Sequence, residues 1–288
     1  MALDPIRADL RDRLCLVTGA NSGIGAAAAL ALARLGARVA LCCRDEARGR
    51  DMLAAVEAAG GRGGHELFRV DVSDPASVAD FARGFHARHQ RLDVLVNNAG
   101  LWSARRRLAP DGHELTWSTN VLGYVRMAEA LAEPLRRARG RIVNVASMLA
   151  RGLDLDDVEF TRRRYRGIDA YAQSKQANRM WTWALARRLE GSGVVAHALH
   201  PGGVRTPIFS KGGGVTGIVG MLWARLYGIT PEQGADTVVW LAASDEGGST
   251  SGRFWAKRRE RPCQFRDPAA EDALFEMCHD MARTWGAR

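Results

Sequence analysis

Leu14-Cys15-Leu16-Val17-Thr18-Gly19-Ala20-Asn21-Ser22-Gly23-Ile24-Gly25 is the stretch that decides the fold. Its first half is a short apolar run of the kind that forms a buried strand, predicted over 13–18. Its second half carries glycines in a GxxxGxG spacing. The alanine-rich run 24–35 then has no breaker until Gly36, which predicts a helix with a glycine at its end. Glycines between a strand and a helix allow a tight turn and a close backbone approach to an anion. The helix behind them offers free N–H groups and the positive end of its dipole to the same anion. A glycine cluster alone would be an ordinary turn; its place between a first strand and a first helix makes it a phosphate cradle.

The same alternation continues outward. Apolar runs at 38–43, 65–70, 92–96, 141–146 and 194–199 predict further strands, and 45–59, 114–137 and 170–190 predict helices. Ser73 or Asp74 is placed to cap another helix that opens near Pro75. Strand and helix in strict turn predict an α/β fold: a doubly wound, mostly parallel sheet of Rossmann type, in three layers. With no linker and no break in composition, residues 1–288 read as a single domain. Two segments interrupt the pattern as inserts, the charged 148–169 and the glycine-rich 206–230, and a basic tail follows from 256. Long irregular segments in a compact domain often serve as lids or binding loops.

Composition excludes other classes. Of 288 residues, 47% are hydrophobic and 25% charged, an ordinary globular balance. No apolar run is long enough for a membrane-spanning helix, so no integral membrane segment is expected. The net charge of +9 rests almost wholly on arginine, since Lys175, Lys211 and Lys257 are the only lysines. The arginines fall in short clusters at 105–107, 136–141, 162–166 and 258–261, which read as solvated surface rather than as a nucleic-acid stripe. The five cysteines form no CxxC pair and have no zinc-ligand spacing to histidine, so no metal site is expected and a reducing compartment is. The N-terminus carries charges where a signal peptide needs an apolar stretch, and a cytoplasmic location follows.

The remaining motifs all fall at the carboxyl ends of predicted strands, where open α/β sheets bind ligands. The second strand ends in Cys42-Cys43-Arg44-Asp45. An acidic residue about 20 positions past the glycines would receive the ribose hydroxyls of NAD. Cys43 stands there instead, and the guanidinium of Arg44 suits a 2′-phosphate, so NADP is favoured over NAD. Asp71-Val72 closes the third strand, and Asn97-Asn98-Ala99-Gly100 the fourth. Ser147 follows the fifth, and His200-Pro201-Gly202-Gly203-Val204 the sixth. Tyr171 and Lys175 lie four apart on a predicted helix, on one face. A cation near a phenol favours phenolate, which suits a tyrosine for general acid/base work near neutral pH. His200 and Trp102 are candidates for substrate contact against the plainer reading of packing, and Trp181 and Trp183 read as core or subunit packing.

Taken together, Thr18–Gly25, Asn97–Gly100, Asn120, Ser147, Tyr171 with Lys175, and Pro201–Gly202 resemble the short-chain dehydrogenase/reductase superfamily in its TGxxxGxG/YxxxK form, over roughly residues 12–256. Cys43-Arg44-Asp45, Tyr171-Ala-Gln-Ser-Lys175-Gln-Ala-Asn178 and His200-Pro-Gly-Gly-Val204-Arg-Thr206 are similar to the retinol dehydrogenase-like, NADP-dependent reductases of bacterial type. The resemblance implies an oxidoreductase that moves a hydride between NADP and an alcohol/carbonyl pair. Tyr171 would be the acid/base. Lys175 would lower its pKa and bind ribose, Ser147 would hold the substrate oxygen, and Asn120 would serve the proton relay. The cofactor would lie along Gly19, Asn21, Ser22, Gly23, Ile24, Gly25, Arg44, Asp71, Val72, Asn98, Ala99, Gly100, Tyr171, Lys175, Pro201, Gly202, Val204 and Thr206, with Thr206 on the nicotinamide carboxamide. Apolar residues in 218–226 point to a hydrophobic ketone, aldehyde or secondary alcohol. Related chains pair through the helices at 114–137 and 170–190, which implies a homodimer or homotetramer, with the tail placed to cover one interface. The alternative is a non-catalytic NADP-binding regulator.

Overall fold

The computed structural model describes residues 4–60, 63–204 and 228–283. Strand β1 (Leu14–Thr18) is buried at every position and runs into helix α1 (Gly23–Arg34). Then come β2 (Arg38–Cys43), α2 (Glu46–Ala59), β3 (Glu66–Arg69), α3 (Pro75–His86) and β4 (Val94–Asn97). The strands read as unbroken apolar runs because helices cover both faces of the sheet. Asp45 caps α2 by accepting from Arg48 N at 3.1 Å, and Asp74, not Ser73, caps α3 by accepting from Ala76 N at 3.0 Å.

Beyond β4 lie α4 (Leu115–Trp117), a π-helical turn (Ser118–Leu122), α5 (Gly123–Ala130), α6 (Ala132–Ala138), β5 (Arg141–Val145), α7 (Gly167–Arg188) and β6 (Val195–Leu199). The chain closes with α8 (Pro231–Ala243), α9 (Asp245–Ser249), β7 (Arg253–Ala256), β8 (Arg259–Glu260) and α10 (Pro268–Arg283). The sheet has the order β3-β2-β1-β4-β5-β6-β7-β8. All pairings are parallel except β7 with β8. The order reverses between β1 and β4, so the ligand crevice of a doubly wound sheet opens there. One apolar layer holds Phe81, Phe85, Trp117, Leu122 and Trp183 against the α3/α5/α7 face. The other holds Ala28, Leu32, Val56, Val238 and Leu241 under α1, α2 and α8.

Three expectations change. The single helix over 114–137 is broken into α4, the π turn, α5 and α6. The insert 148–169 has no regular structure before α7 begins at Gly167, yet it is a tied cap rather than a loose lid. Asp157 accepts from Thr161 N at 2.7 Å, Thr161 Oγ1 at 3.0 Å and Arg163 N at 2.9 Å. Burial opposes its charge, but these donors win and hold the carboxyl well below the usual range. Gln173 of α7 donates to Val158 O at 2.5 Å. Finally, the tail from 256 is structured. It turns through Lys257 and Arg258, both at positive φ, into β8, and ends in α10 on the flank of α7. There Trp181 stacks on Phe275 at 8° between planes, and Arg188 Nη1 meets Asp272 at 2.8 Å. Trp181 is thus packed within its own chain, and Trp183 is core. The insert 206–230 lies outside the described residues up to 227.

The loop after β4 is tied down by a buried ion pair, Arg126 Nη2 to Asp111 Oδ2 at 2.6 Å, with side chains 4% and 0% exposed. Ser118 Oγ donates to the same carboxylate oxygen at 2.6 Å. Removing one partner strands a buried charge. Asp111→Ala should therefore lose about 3–5 kcal/mol in urea unfolding, and the Asp111→Leu/Arg126→Met double variant should recover most of that loss.

Candidate active site

The glycine loop is shaped by contacts that only glycine permits. A Cβ on Gly25 would lie 2.5 Å from Asn98 Nδ2 and would overlap the carbonyl of Gly19. Gly19 itself sits at φ +65° with Ala99 Cα 3.0 Å from where its Cβ would be. Thr18 locks this loop to the end of β4: its hydroxyl accepts from Asn98 N at 2.9 Å and Ala99 N at 3.0 Å. Asn98 Nδ2 returns a bond to Thr18 O at 2.8 Å. The N-terminus of α1 has no side-chain cap at Ser22 and no acidic residue in its first turn. Its N–H groups and dipole are left for an outside anion, which fits a dinucleotide pyrophosphate.

Other predicted cofactor residues fall on the same edge. Arg44, 70% exposed in its side chain, directly follows β2, and its Nη1 lies 3.5 Å from Asp71 Oδ2 past the end of β3. Asp71 also accepts from Ser73 Oγ at 2.6 Å. Val72 is buried against Gly123 of α5. Asn21, Gly23 and Ile24 are half-buried and Ser22 is exposed. Pro201 and Gly202 follow β6, and Val204 bridges to Ile229. Thr206 lies outside the described residues.

The predicted catalytic residues meet where β5 ends against α7. Tyr171 and Lys175 share one face of α7, and both are buried. The phenol of Tyr171 is hydrogen-bonded to the Ser147 side chain, and Ser147 Oγ accepts from Leu149 N at 3.1 Å. Lys175 Nζ donates to Val145 O at 2.8 Å and lies 5.9 Å from the ring centre of Tyr171. Burial pulls the lysine down from 10.5 to about 7. Burial also raises the phenol of Tyr171, against the hydrogen bond from Ser147, which lowers it.

Asn120 is fully buried in the π turn. Its Nδ2 donates to Leu101 O at 3.0 Å and to Ser174 Oγ at 3.0 Å, and its Oδ1 accepts from Leu101 N at 2.8 Å. A Cβ on Gly100 would lie 3.3 Å from Asn120 Oδ1 and 3.7 Å from Lys175 Nζ, so these groups surround one point. Single π turns recur at functional sites because the extra residue re-aims side chains.

Sequence reasoning missed Tyr124, Ser174 and Arg179. Tyr124 OH donates to Val145 O at 3.1 Å, sharing that carbonyl with Lys175. Its spacing from Asn120 was a visible signal, but the π turn between them was not. His200 packs at a tilt on Phe254 with 5.7 Å between ring centres, and burial takes its imidazole down to about 4. Trp102 is buried, which favours its packing reading.

Comparison with known proteins follows from this geometry. Residues 13–213 match the family model described as short chain dehydrogenase. The chain belongs to the short-chain dehydrogenase/reductase family. It is 37% identical to a probable oxidoreductase of Streptomyces antibioticus, covering 96% of this chain and 99% of that one. It is 34% identical to retinol dehydrogenase 13 of Homo sapiens, over 93% of this chain and 82% of that protein. A solved short chain dehydrogenase from Burkholderia cenocepacia, in complex with NADP, superposes with a TM-score of 0.66 at 31% identity, over 85% of this chain and 96% of that one. As a family member the chain is an oxidoreductase that uses a nicotinamide cofactor. Among the described residues no helix is long and apolar enough to cross a membrane.

The buried lysine has a stability signature. It is charged in the unfolded chain up to about 10.5 and in the folded chain only up to about 7, so the unfolded state binds more protons between these values. Stability contributed at this position therefore rises with pH across that window. In urea unfolding of the cofactor-free protein, Lys175→Met should stabilise the fold, and by more at about pH 6 than at about pH 9.

Proposed function

We propose that this protein is an NADP-dependent reductase or dehydrogenase of an alcohol/carbonyl pair with an apolar substrate. The observation that carries the reading is the Ser147 hydroxyl on the Tyr171 phenol, with Lys175 beside it, in a sheet whose first helix α1 has an uncapped N-terminus. When bound, the nicotinamide cofactor supplies or accepts the hydride. The chain supplies the proton and the orientation. In reduction, Ser147 donates a hydrogen bond to the substrate oxygen while Tyr171 gives that oxygen its proton. In oxidation Tyr171 takes the proton instead. Lys175, fixed on Val145 O, holds the nicotinamide ribose and favours the phenolate left after proton transfer. Asn120 has both amide hydrogens engaged, and it keeps a lone pair of Oδ1 beside Lys175 for the water that returns a proton.

NADP over NAD is supported by Arg44. Its guanidinium is solvent-exposed and, among the described residues, shares a long contact with Asp71, so it is available to a 2′-phosphate. No carboxylate ends β2, where Cys43 stands. The bound NADP of the Burkholderia relative agrees with this choice. An apolar substrate is supported by Met148 and Leu149, which follow Ser147 directly and are 59% and 38% exposed. The five free thiols support a reducing, cytoplasmic setting.

Titration with NADPH and NADH, followed by a panel of ketones and aldehydes, tests the reading. Tight NADPH binding with turnover on apolar carbonyl compounds is the expected result; binding of neither cofactor would sink it. Tyr171→Phe should bind NADPH as before and lose about 10³-fold in kcat. Arg44→Ala should weaken NADPH by about 10- to 100-fold and NADH by less than about twofold in the same fluorescence titration. Equal losses for both cofactors would remove Arg44 from the 2′-phosphate site.

A further inference from the structure

Helix α7 touches the end of β5 with three side chains spaced one turn apart. Tyr171 meets the Ser147 side chain, Lys175 the Val145 carbonyl, and Arg179 Nη2 donates to the carbonyl of Ser147 itself. The ladder to β6 ends at Ala146 N, which bonds Leu199 O at 2.8 Å, so the next carbonyl has left the sheet and needs another donor. Arg179 is 7% exposed. Its guanidinium lies 3.9 Å over the ring of Phe254 and 5.6 Å from that of Phe265, and Nη1 reaches Cys263 Sγ at 3.5 Å. Among the described residues it meets no carboxylate; the titratable groups that interact with it are Cys263 and His200. Burial keeps His200 neutral, and the other charges that bear on that imidazole, Arg261 and Lys257, are positive as well.

A buried cation without a counter-charge is a poor device for stability. It is a good one for holding a carbonyl and for projecting positive potential through a dry interior. We propose that Arg179 is a positioning residue for the catalytic centre: it fixes the main chain of Ser147, and its uncompensated charge favours the phenolate of Tyr171. Phe265 and Cys263 complete its seat, so the tail beyond β7 takes part in building the site. The inference rests on the acid/base role of Tyr171.

The phenol can be followed without any substrate. Its titration is the difference in phenolate absorbance between each protein and the same protein carrying Tyr171→Phe. In Arg179→Met, a variant of similar volume without charge, the midpoint should rise by about half a pH unit or more. The kcat should fall about 10- to 100-fold, while NADPH affinity stays within about twofold. Arg179→Lys keeps the charge and should return the midpoint most of the way, with kcat between the two. A loss that was only structural would lower thermal stability and amplitude and leave the midpoint in place. An unchanged midpoint in folded Arg179→Met overturns the proposal. Should that variant not fold, Phe265→Leu, which only opens the outer wall of the seat, must shift the midpoint upward, and no shift there overturns it equally. Wild-type protein that binds NADPH yet reduces nothing would count against the reductase reading, while the phenol titration would still decide the role of Arg179.

Discussion

One carbonyl oxygen organises this molecule. Val145 O, at the last residue of β5, receives both the Lys175 ammonium and the Tyr124 hydroxyl, which fills its two lone pairs. The first donor fixes the rotation and height of α7 on the sheet, and the second fixes α5. With α7 pinned there, the residue one turn before the lysine arrives at the Ser147 hydroxyl and the residue one turn after arrives at the Ser147 carbonyl. The cost is a nearly dry ammonium, drawn down to about 7. The fold is less stable for holding a charge so poised.

The sheet was readable in the chain because strands covered on both faces have nowhere to place polar side chains, and β1, β2, β4, β5 and β6 stand out as apolar runs. The glycine loop was readable for a related reason: Gly19 and Gly25 answer to contacts with Asn98 and Ala99 that admit no Cβ. Two kinds of feature were not. The π turn at Ser118–Leu122 leaves no mark in hydrophobic period, although it sets where Asn120 points. Contacts closed by residues far apart in sequence are equally silent. Arg179 joins Ser147 across 32 positions and Cys263 across 84, and neither partner announces the other. The start of α7 at Gly167 and the helix α10 belong to the same class, since both are settled by what they pack on.

Arginine shows how composition can mislead in detail while being right in sum. Most arginines of the clusters at 105–107, 136–141, 162–166 and 258–261 lie on the surface, and a few of them pair there, as Arg137 does with Glu133. Pairs of that kind contribute little. The arginines that matter to the interior, Arg126 and Arg179, stand alone in the chain. Arg126 has Asp111 and is a structural tie. Arg179 has a carbonyl, a thiol and an aromatic face instead, and that difference in partners separates an anchor from a source of field.

The seating of α10 on α7 has a bearing on how the chain is made. Arg187 pairs with Glu271 across 84 positions, and Arg188 with Glu276 across 88. On a ribosome, where chains emerge from the N-terminus, the whole of α7 and every strand through β6 is exposed before the helix that covers Trp181 exists. The nascent protein thus carries a bare tryptophan face until α10 has emerged. The glycine loop after β1 precedes the wall of the arginine seat, Cys263 and Phe265, by most of the length of the chain.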